Sequence, residues 1–204
     1  MIAIIDYGVG NLFSLQCSLA KIGFDAVVTS DKAEIEAADR IILPGVGAYG
    51  DASEKLKSTG MGEIVKNEAA KGKPVLGICL GMQLLFEKGY EYGEFDGLGL
   101  IKGKVVSMAD VIPAELKLPQ IGWNALEFKK ECPLQKYIKE GDCVYFVHSY
   151  YATDCDYAIA ATTEYGADIT AMVNDGNVYG TQFHPEKSGE TGLAILRAFC
   201  ELEV

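Results

Sequence analysis

The chain is poor in groups that carry acid–base work at neutral pH. Its 204 residues include only two histidines, His148 and His184, so a mechanism that needs an imidazole has two places to find one. The six cysteines, Cys17, Cys79, Cys132, Cys143, Cys155 and Cys200, lie far apart with no C-x-x-C, which excludes the spacing of a zinc site or of a compact disulfide framework. There is no G-x-x-x-x-G-K-[ST]. Gly8-Val9-Gly10 follows the first apolar run, but Phe13 stands where a third glycine would complete a dinucleotide-binding turn. No metal and no cofactor is therefore expected. Basic residues number 18 against 29 acidic ones, and the net charge of −11 argues against nucleic acid or an anionic membrane as partner. No stretch approaches the ~18 consecutive apolar residues of a membrane span. The sequence opens on an apolar strand rather than on a basic leader, so a cytoplasmic location is expected.

What is present reads as a single α/β domain over residues 1–204, without linker, repeat or low-complexity stretch. Apolar β-type runs at 1–5, 26–29, 40–43 and 74–78 alternate with helical patterns. The first helix has Leu12, Leu15, Leu19 and Ile22 on one face, with Asn11 as its expected N-cap; a second is expected from about Met61 to Lys71. Gly81 to Phe86 reads as the first turns of another helix. This alternation predicts an open, mostly parallel sheet with helices on both faces. After residue 98 the pattern turns strand-rich, which predicts an added antiparallel C-terminal part. It includes a hairpin across Asp175-Gly176 and a closing helix from about Gly189 to Leu202.

Cys79 differs from the other cysteines in its surroundings. It is the centre of Gly77-Ile78-Cys79-Leu80-Gly81, a strand-to-helix turn of the form G-x-C-x-G, in which the flanking glycines let the chain hold a residue in a strained, exposed conformation. A helix starting there would favour the thiolate through its dipole. Such a nucleophile needs a base. His184 in His184-Pro185-Glu186 follows an apolar strand, and in an extended stretch Glu186 would lie on the same side as His184 and orient the ring. His148, at the end of the strand before Ser149-Tyr150, is the alternative base, with a hydrogen-bonded structural role as its competing reading. An oxyanion would be held by the backbone N–H of Leu80 and by a donor from the Val46-Gly47 segment of Pro44-Gly45-Val46-Gly47. Asp6 to Gly10, Pro44 to Gly47, Cys79 and His184 each follow a strand, and so are expected at one sheet edge.

Together these blocks resemble the class I, triad-type glutamine amidotransferases, in which G-x-C-x-G carries the nucleophile and H-P-E the base and orienter. Five blocks are similar to the branch formed by the glutaminase subunits of imidazole glycerol phosphate synthase. They are Ile4 to Leu12, Pro44 to Gly47, Pro119-Gln120-Ile121-Gly122-Trp123-Asn124, Tyr145 to Tyr150 and Gln182 to Ser188. The resemblance implies a flavodoxin-like amidotransferase fold and hydrolysis of L-glutamine through a Cys79 thioester. It implies substrate contacts by Gln83, by the Ser149-Tyr150 backbone and by Glu91. It also implies a heterodimer with a (β/α)8-barrel cyclase subunit that consumes the ammonia, contacted through Asn11, Trp123 and Lys187. A glutaminase of the anthranilate or aminodeoxychorismate type, a γ-glutamyl peptidase, or a catalytically silent binding module of the same fold are the competing readings.

Overall fold

The structure, a computed structural model, describes residues 1–203; Val204, the end of the expected domain, lies outside the described residues. The first half alternates strand and helix: β1 (Ile2–Ile5), α1 (Leu12–Lys21), β2 (Ala26–Thr29), α2 (Lys32–Ala37), β3 (Arg40–Gly45), α3 (Tyr49–Ser58), α4 (Met61–Ala70), β4 (Val75–Cys79) and α5 (Leu80–Gln83). The second half is mostly strand: β5 (Phe86–Gly89), β6 (Phe95–Asp96), β7 (Ile101–Ser107), β8 (Gln120–Ala125), β9 (Glu127–Phe128), β10 (Cys143–His148), β11 (Tyr150–Thr153), β12 (Ile159–Glu164), β13 (Asp168–Asp175) and β14 (Val178–Thr181), closed by α6 (Gly189–Cys200). Among the described residues no helix is long and apolar enough to cross a membrane.

The central strands are apolar at successive positions, so the sheet must be covered on both faces. Alternation sends Ala3, Ile5, Ile41, Leu43 and Val75 into one core, where Ile35 of α2, Leu56 of α3 and Val65 of α4 meet them. Ile2, Ile4, Ile42, Leu76 and Ile78 face the other core, closed by Leu15 and Leu19 of α1 and by Ile195 and Phe199 of α6. The main sheet runs β2-β1-β3-β4-β14-β13-β12-β9; its first five strands are parallel and the rest join antiparallel. The hairpin at Asp175-Gly176 forms as the sequence predicts, with Asp175 opposite Val178 and Gly176 at φ 56°. β14 then returns beside β4 in parallel, with Thr181 opposite Ile78, while Gly45 at the end of β3 lies opposite Cys79. Three strand ends, after Gly45, at Cys79 and after Thr181, therefore open on the same edge.

The structure departs from the expectations in three places. The helix read from Gly81 onward is a single turn, because Leu84 and Leu85 are needed in the core and the chain leaves at once for β5. α2 and α3 carry too few apolar positions to announce themselves. Only Ile35 of α2 is buried, and α2 is set instead by Asp31 accepting from Glu34 N at 3.0 Å. Asn11 stands at the α1 N-cap position, but its side chain makes no capping bond.

Both glycines of G-x-C-x-G are required by close approach. A Cβ on Gly81 would sit 1.9 Å from the Leu43 carbonyl oxygen, and one on Gly77 would sit 2.6 Å from the Gly81 oxygen. Gly81→Ala is expected to cost about 3 kcal/mol or more, since rigid backbone must move. Gly72→Ala, with φ +93° but open space around it, should cost about 1 kcal/mol. Urea unfolding of the two variants measures the difference, and equal losses would mean that the contact between β3 and the turn after β4 yields to a methyl group.

Candidate active site

The elbow is real in the backbone. Cys79 has φ 54° and ψ −112°, a conformation that L-residues rarely adopt, and it is imposed by the glycine contacts on either side. The expected contribution of a helix dipole is small, because α5 is one turn long. The partners of Cys79 are instead side chains. His184 lines the cavity beside it and interacts with it, and the Nδ1 of that ring lies 2.8 Å from Glu186 Oε1.

The route to that pair differs from the expected one. Pro185–Lys187 is a 3₁₀ turn rather than an extended stretch, since Pro185 supplies the φ of a first helical residue. The turn still brings Glu186 under the ring. The backbone of His184 is fixed from two sides: its N–H donates to Tyr145 O at 3.0 Å, and Ser188 Oγ donates to its carbonyl at 2.7 Å. Burial by itself disfavours the imidazolium, but the hydrogen bonds and charges of Cys79 and Glu186 outweigh it and hold the His184 pKa up at about 9.

His148 has the opposite environment. Its Nδ1 is 2.9 Å from Tyr150 O, a pure acceptor, so that nitrogen carries the hydrogen and donates. Burial pushes its pKa down to about 4, with the nearby His184 charge adding to the effect against the backbone hydrogen bond. At neutral pH it is an uncharged ring committed to the backbone, in keeping with the structural role.

A cavity of about 400 Å³ opens over Cys79 and His184. Its lining includes Leu80, Val46 and Gly47, the last at φ 97°, together with Gln83, Glu91, Ser149 and Tyr150. Gln83 donates Nε2–H to Tyr150 O at 3.0 Å. Glu91 has a second duty, because its Oε2 accepts from Tyr49 N at 2.6 Å and so caps α3. Lys187 is exposed at the rim. Trp123 lies outside the cavity, 54% exposed, with its ring edge-to-face against Tyr145 at 6.1 Å. Asn11 reaches neither the cavity nor a cap; with Glu186 and Pro44 it lines a small gap of about 10 Å³ behind the imidazole.

Sequence reasoning missed three contributors. Tyr7 donates its hydroxyl to Pro44 O at 2.8 Å, and burial together with the Cys79 charge holds that phenol in its neutral form. Ser188 clamps the His184 carbonyl, as above. Gln182 is fully buried with Nε2 3.7 Å from Cys79 Sγ. The two-residue period continuing from β14 through Gln182 to His184 was the available signal.

Known proteins resemble the chain over nearly its whole length. The family model for glutamine amidotransferase class-I matches residues 3–202. The imidazole glycerol phosphate synthase subunit HisH of Caldanaerobacter subterraneus subsp. tengcongensis is 53% identical, the match covering 99% of this chain and 98% of that one. The same subunit of Lactococcus lactis subsp. lactis is 50% identical over 98% of both. A crystal structure of a glutamine amidotransferase shares the fold at a TM-score of 0.76 and 19% identity over 98% of both chains. PurLQS from Thermotoga maritima does so at 0.74 and 21%, over 98% of this chain and 96% of that one.

The two histidines should leave opposite marks on stability. His148 has a folded pKa of about 4, below the 6.5 of a free ring, so its contribution is present above pH 6.5 and is lost as pH falls toward 4. His184, raised to about 9, stabilises the fold fully below 6.5 and loses that contribution as pH rises through 9. In the wild type the two partly cancel on mild acidification. His148→Gln should therefore gain about 1 kcal/mol relative to the wild type between pH ~7 and ~5.5, read by urea unfolding. An unchanged gap would show that folding does not depress the pKa of His148.

Proposed function

Because the chain belongs to the class-I glutamine amidotransferases, we propose that it hydrolyses L-glutamine through Cys79 and delivers the ammonia to a (β/α)8-barrel cyclase, as the glutaminase subunit of an imidazole glycerol phosphate synthase in histidine biosynthesis. One observation carries the chemical part: a strained, buried cysteine beside an imidazole that a buried carboxylate orients.

The Cys79 thiolate attacks the side-chain carbonyl carbon of glutamine, and the C=O electrons move to oxygen. The N–H of Leu80 and a donor in Val46-Gly47 receive that oxyanion. Imidazolium at His184 gives its proton to the departing nitrogen, the C–N bond breaks and ammonia leaves. Neutral His184 then takes a proton from water as the oxygen attacks the thioester, and breaking the C–S bond restores the thiolate–imidazolium pair and releases glutamate. A His184 pKa near 9 keeps the proton donor loaded at neutral pH. Gln83, Glu91 and the Ser149-Tyr150 backbone are the proposed substrate contacts.

The proposed docking face is the rim of this edge. Ile121 and Trp123 of β8, Phe13 of α1 and Val46 are large exposed apolar residues; Val46 and Lys187 line the cavity, and Ile121 pairs with Val147, which lines it too. An interface there gives ammonia a short path into the partner.

Cys79→Ser should lower glutaminase activity at least ~1,000-fold while the assembled synthase still turns over with added ammonia. His184→Asn should cost more activity than Glu186→Gln, because an amide can orient the ring without stabilising its charge, and more than His148→Asn. The reverse order for the two histidines would make His148 the base. Trp123→Ala and Asn11→Ala should weaken binding to the purified cyclase or its stimulation of hydrolysis, and Lys187→Ala should release ammonia without matching synthesis. Calorimetry and coupled assays that find all three at wild-type values would put the interface elsewhere.

A further inference from the structure

Gln182 has no place in the reaction just described, yet it is buried completely against the nucleophile. A buried carboxamide has to satisfy both of its ends. Its Nε2 lies 3.7 Å from Cys79 Sγ, and its Oε1 lies 3.0 Å from Gln83 Nε2. The same Gln83 Nε2 lies 3.0 Å from Tyr150 O, which His148 Nδ1 also approaches at 2.9 Å.

The direction of this chain of amides is fixed at its backbone end. A carbonyl oxygen only accepts, so the Gln83 atom facing Tyr150 must be nitrogen. That nitrogen also faces Gln182, which must therefore offer its oxygen. Gln182 then has only its N–H group left for the sulfur. A flipped Gln182 would set nitrogen against nitrogen at one end and oxygen against sulfur at the other. With both hydrogens of its Nε2 spent inside the protein, Gln83 keeps Oε1 as its free atom, in a residue that lines the cavity.

We infer that Gln182 is a positioning residue for both halves of the site: its N–H group steadies the anionic sulfur of Cys79, and its Oε1 locks Gln83 so that Gln83 presents an acceptor to a donor group of the substrate. This rests on Cys79 being the nucleophile. A substrate nitrogen that carries hydrogens satisfies the Gln83 oxygen, and a carboxylate in the same place does not. The other titratable groups that act on the sulfur are His184 and Tyr7, and both remain in place when Gln182 is changed.

The test is the pH dependence of Cys79 alkylation by iodoacetamide, followed by peptide mass spectrometry, together with steady-state glutamine kinetics in the presence of the cyclase. Gln182→Met keeps the length and removes both polar ends. It should move the alkylation midpoint up by about one pH unit and raise KM for glutamine about tenfold, because the Gln83 amide then keeps only one of its two anchors, the Tyr150 carbonyl, and holds its Oε1 less firmly toward the substrate. Gln182→Glu, which sets an acceptor against the sulfur, should move the midpoint further. A residue that merely fills space would lower stability and leave the midpoint alone, and that result overturns the inference. Should neither variant fold, the wild-type protein decides. With nitrogen-15 in its glutamine side chains, the Gln182 amide signals should titrate with the alkylation midpoint and shift when Cys79 is alkylated; signals that do neither overturn the inference. The alkylation midpoint and the amide signals, unlike KM, do not need glutamine turnover. Absent turnover with a coupled Gln182 amide would fault the glutaminase reading and support this one, and intact turnover with an uncoupled amide would do the reverse.

Discussion

The site depends on a contact that involves no side chain, the approach of the Leu43 carbonyl to Gly81 where β3 passes the turn after β4. A methyl group at Gly81 would lie 1.9 Å from that oxygen, and one at Gly45 would lie 2.5 Å from the Gly81 nitrogen. This closeness forces the chain to reverse within the length of Cys79, whose left-handed φ is the cost of the reversal. It also brings the Val46-Gly47 segment alongside Leu80. The strained turn at Cys79 and its proximity to the segment proposed to supply backbone donors thus follow from one packing constraint.

Onto that frame the chain adds two imidazoles with opposite electrostatics in one cavity. His184 is driven up to about 9 against its own burial by its interactions with Cys79 and Glu186, whereas burial drives His148 down to about 4 while its Nδ1 hydrogen is committed to a carbonyl. Separating two like groups in this way assigns them different work. Tyr150 O is where the arrangement closes, since His148 and Gln83 both donate to it and Gln83 leads through Gln182 to the sulfur.

Much of this was legible in the sequence. The unbroken apolar runs of β1, β3 and β4 give away a buried parallel sheet, and G-x-C-x-G with H-P-E identifies the elbow and its partner because those residue types have few other reasons to stand so. What was not legible depends on tertiary packing. α2 and α3 bury few apolar side chains and are held by Asp31 and Glu91, one local and one distant cap. The single-turn length of α5 follows from where Leu84 and Leu85 must go. Asn11 has the right type for a cap and does not act as one, and the Glu186 contact arises from a 3₁₀ turn that the extended reading did not include. Gln182 was hidden because a glutamine beside an aromatic at a strand end carries no chemical signature until the sulfur is seen next to it.

The most direct measurement is the site of covalent labelling by a glutamine-analogue diazoketone, read by peptide mass spectrometry alongside glutaminase activity in the presence of the cyclase. Cys17 and Cys143 are exposed and Cys79 is buried, so exposure alone would favour the first two. The account predicts a single label on Cys79, with activity lost in proportion and glutamine protecting against both. Labelling confined to Cys17 or Cys143, or loss of activity while Cys79 stays unmodified, would contradict it.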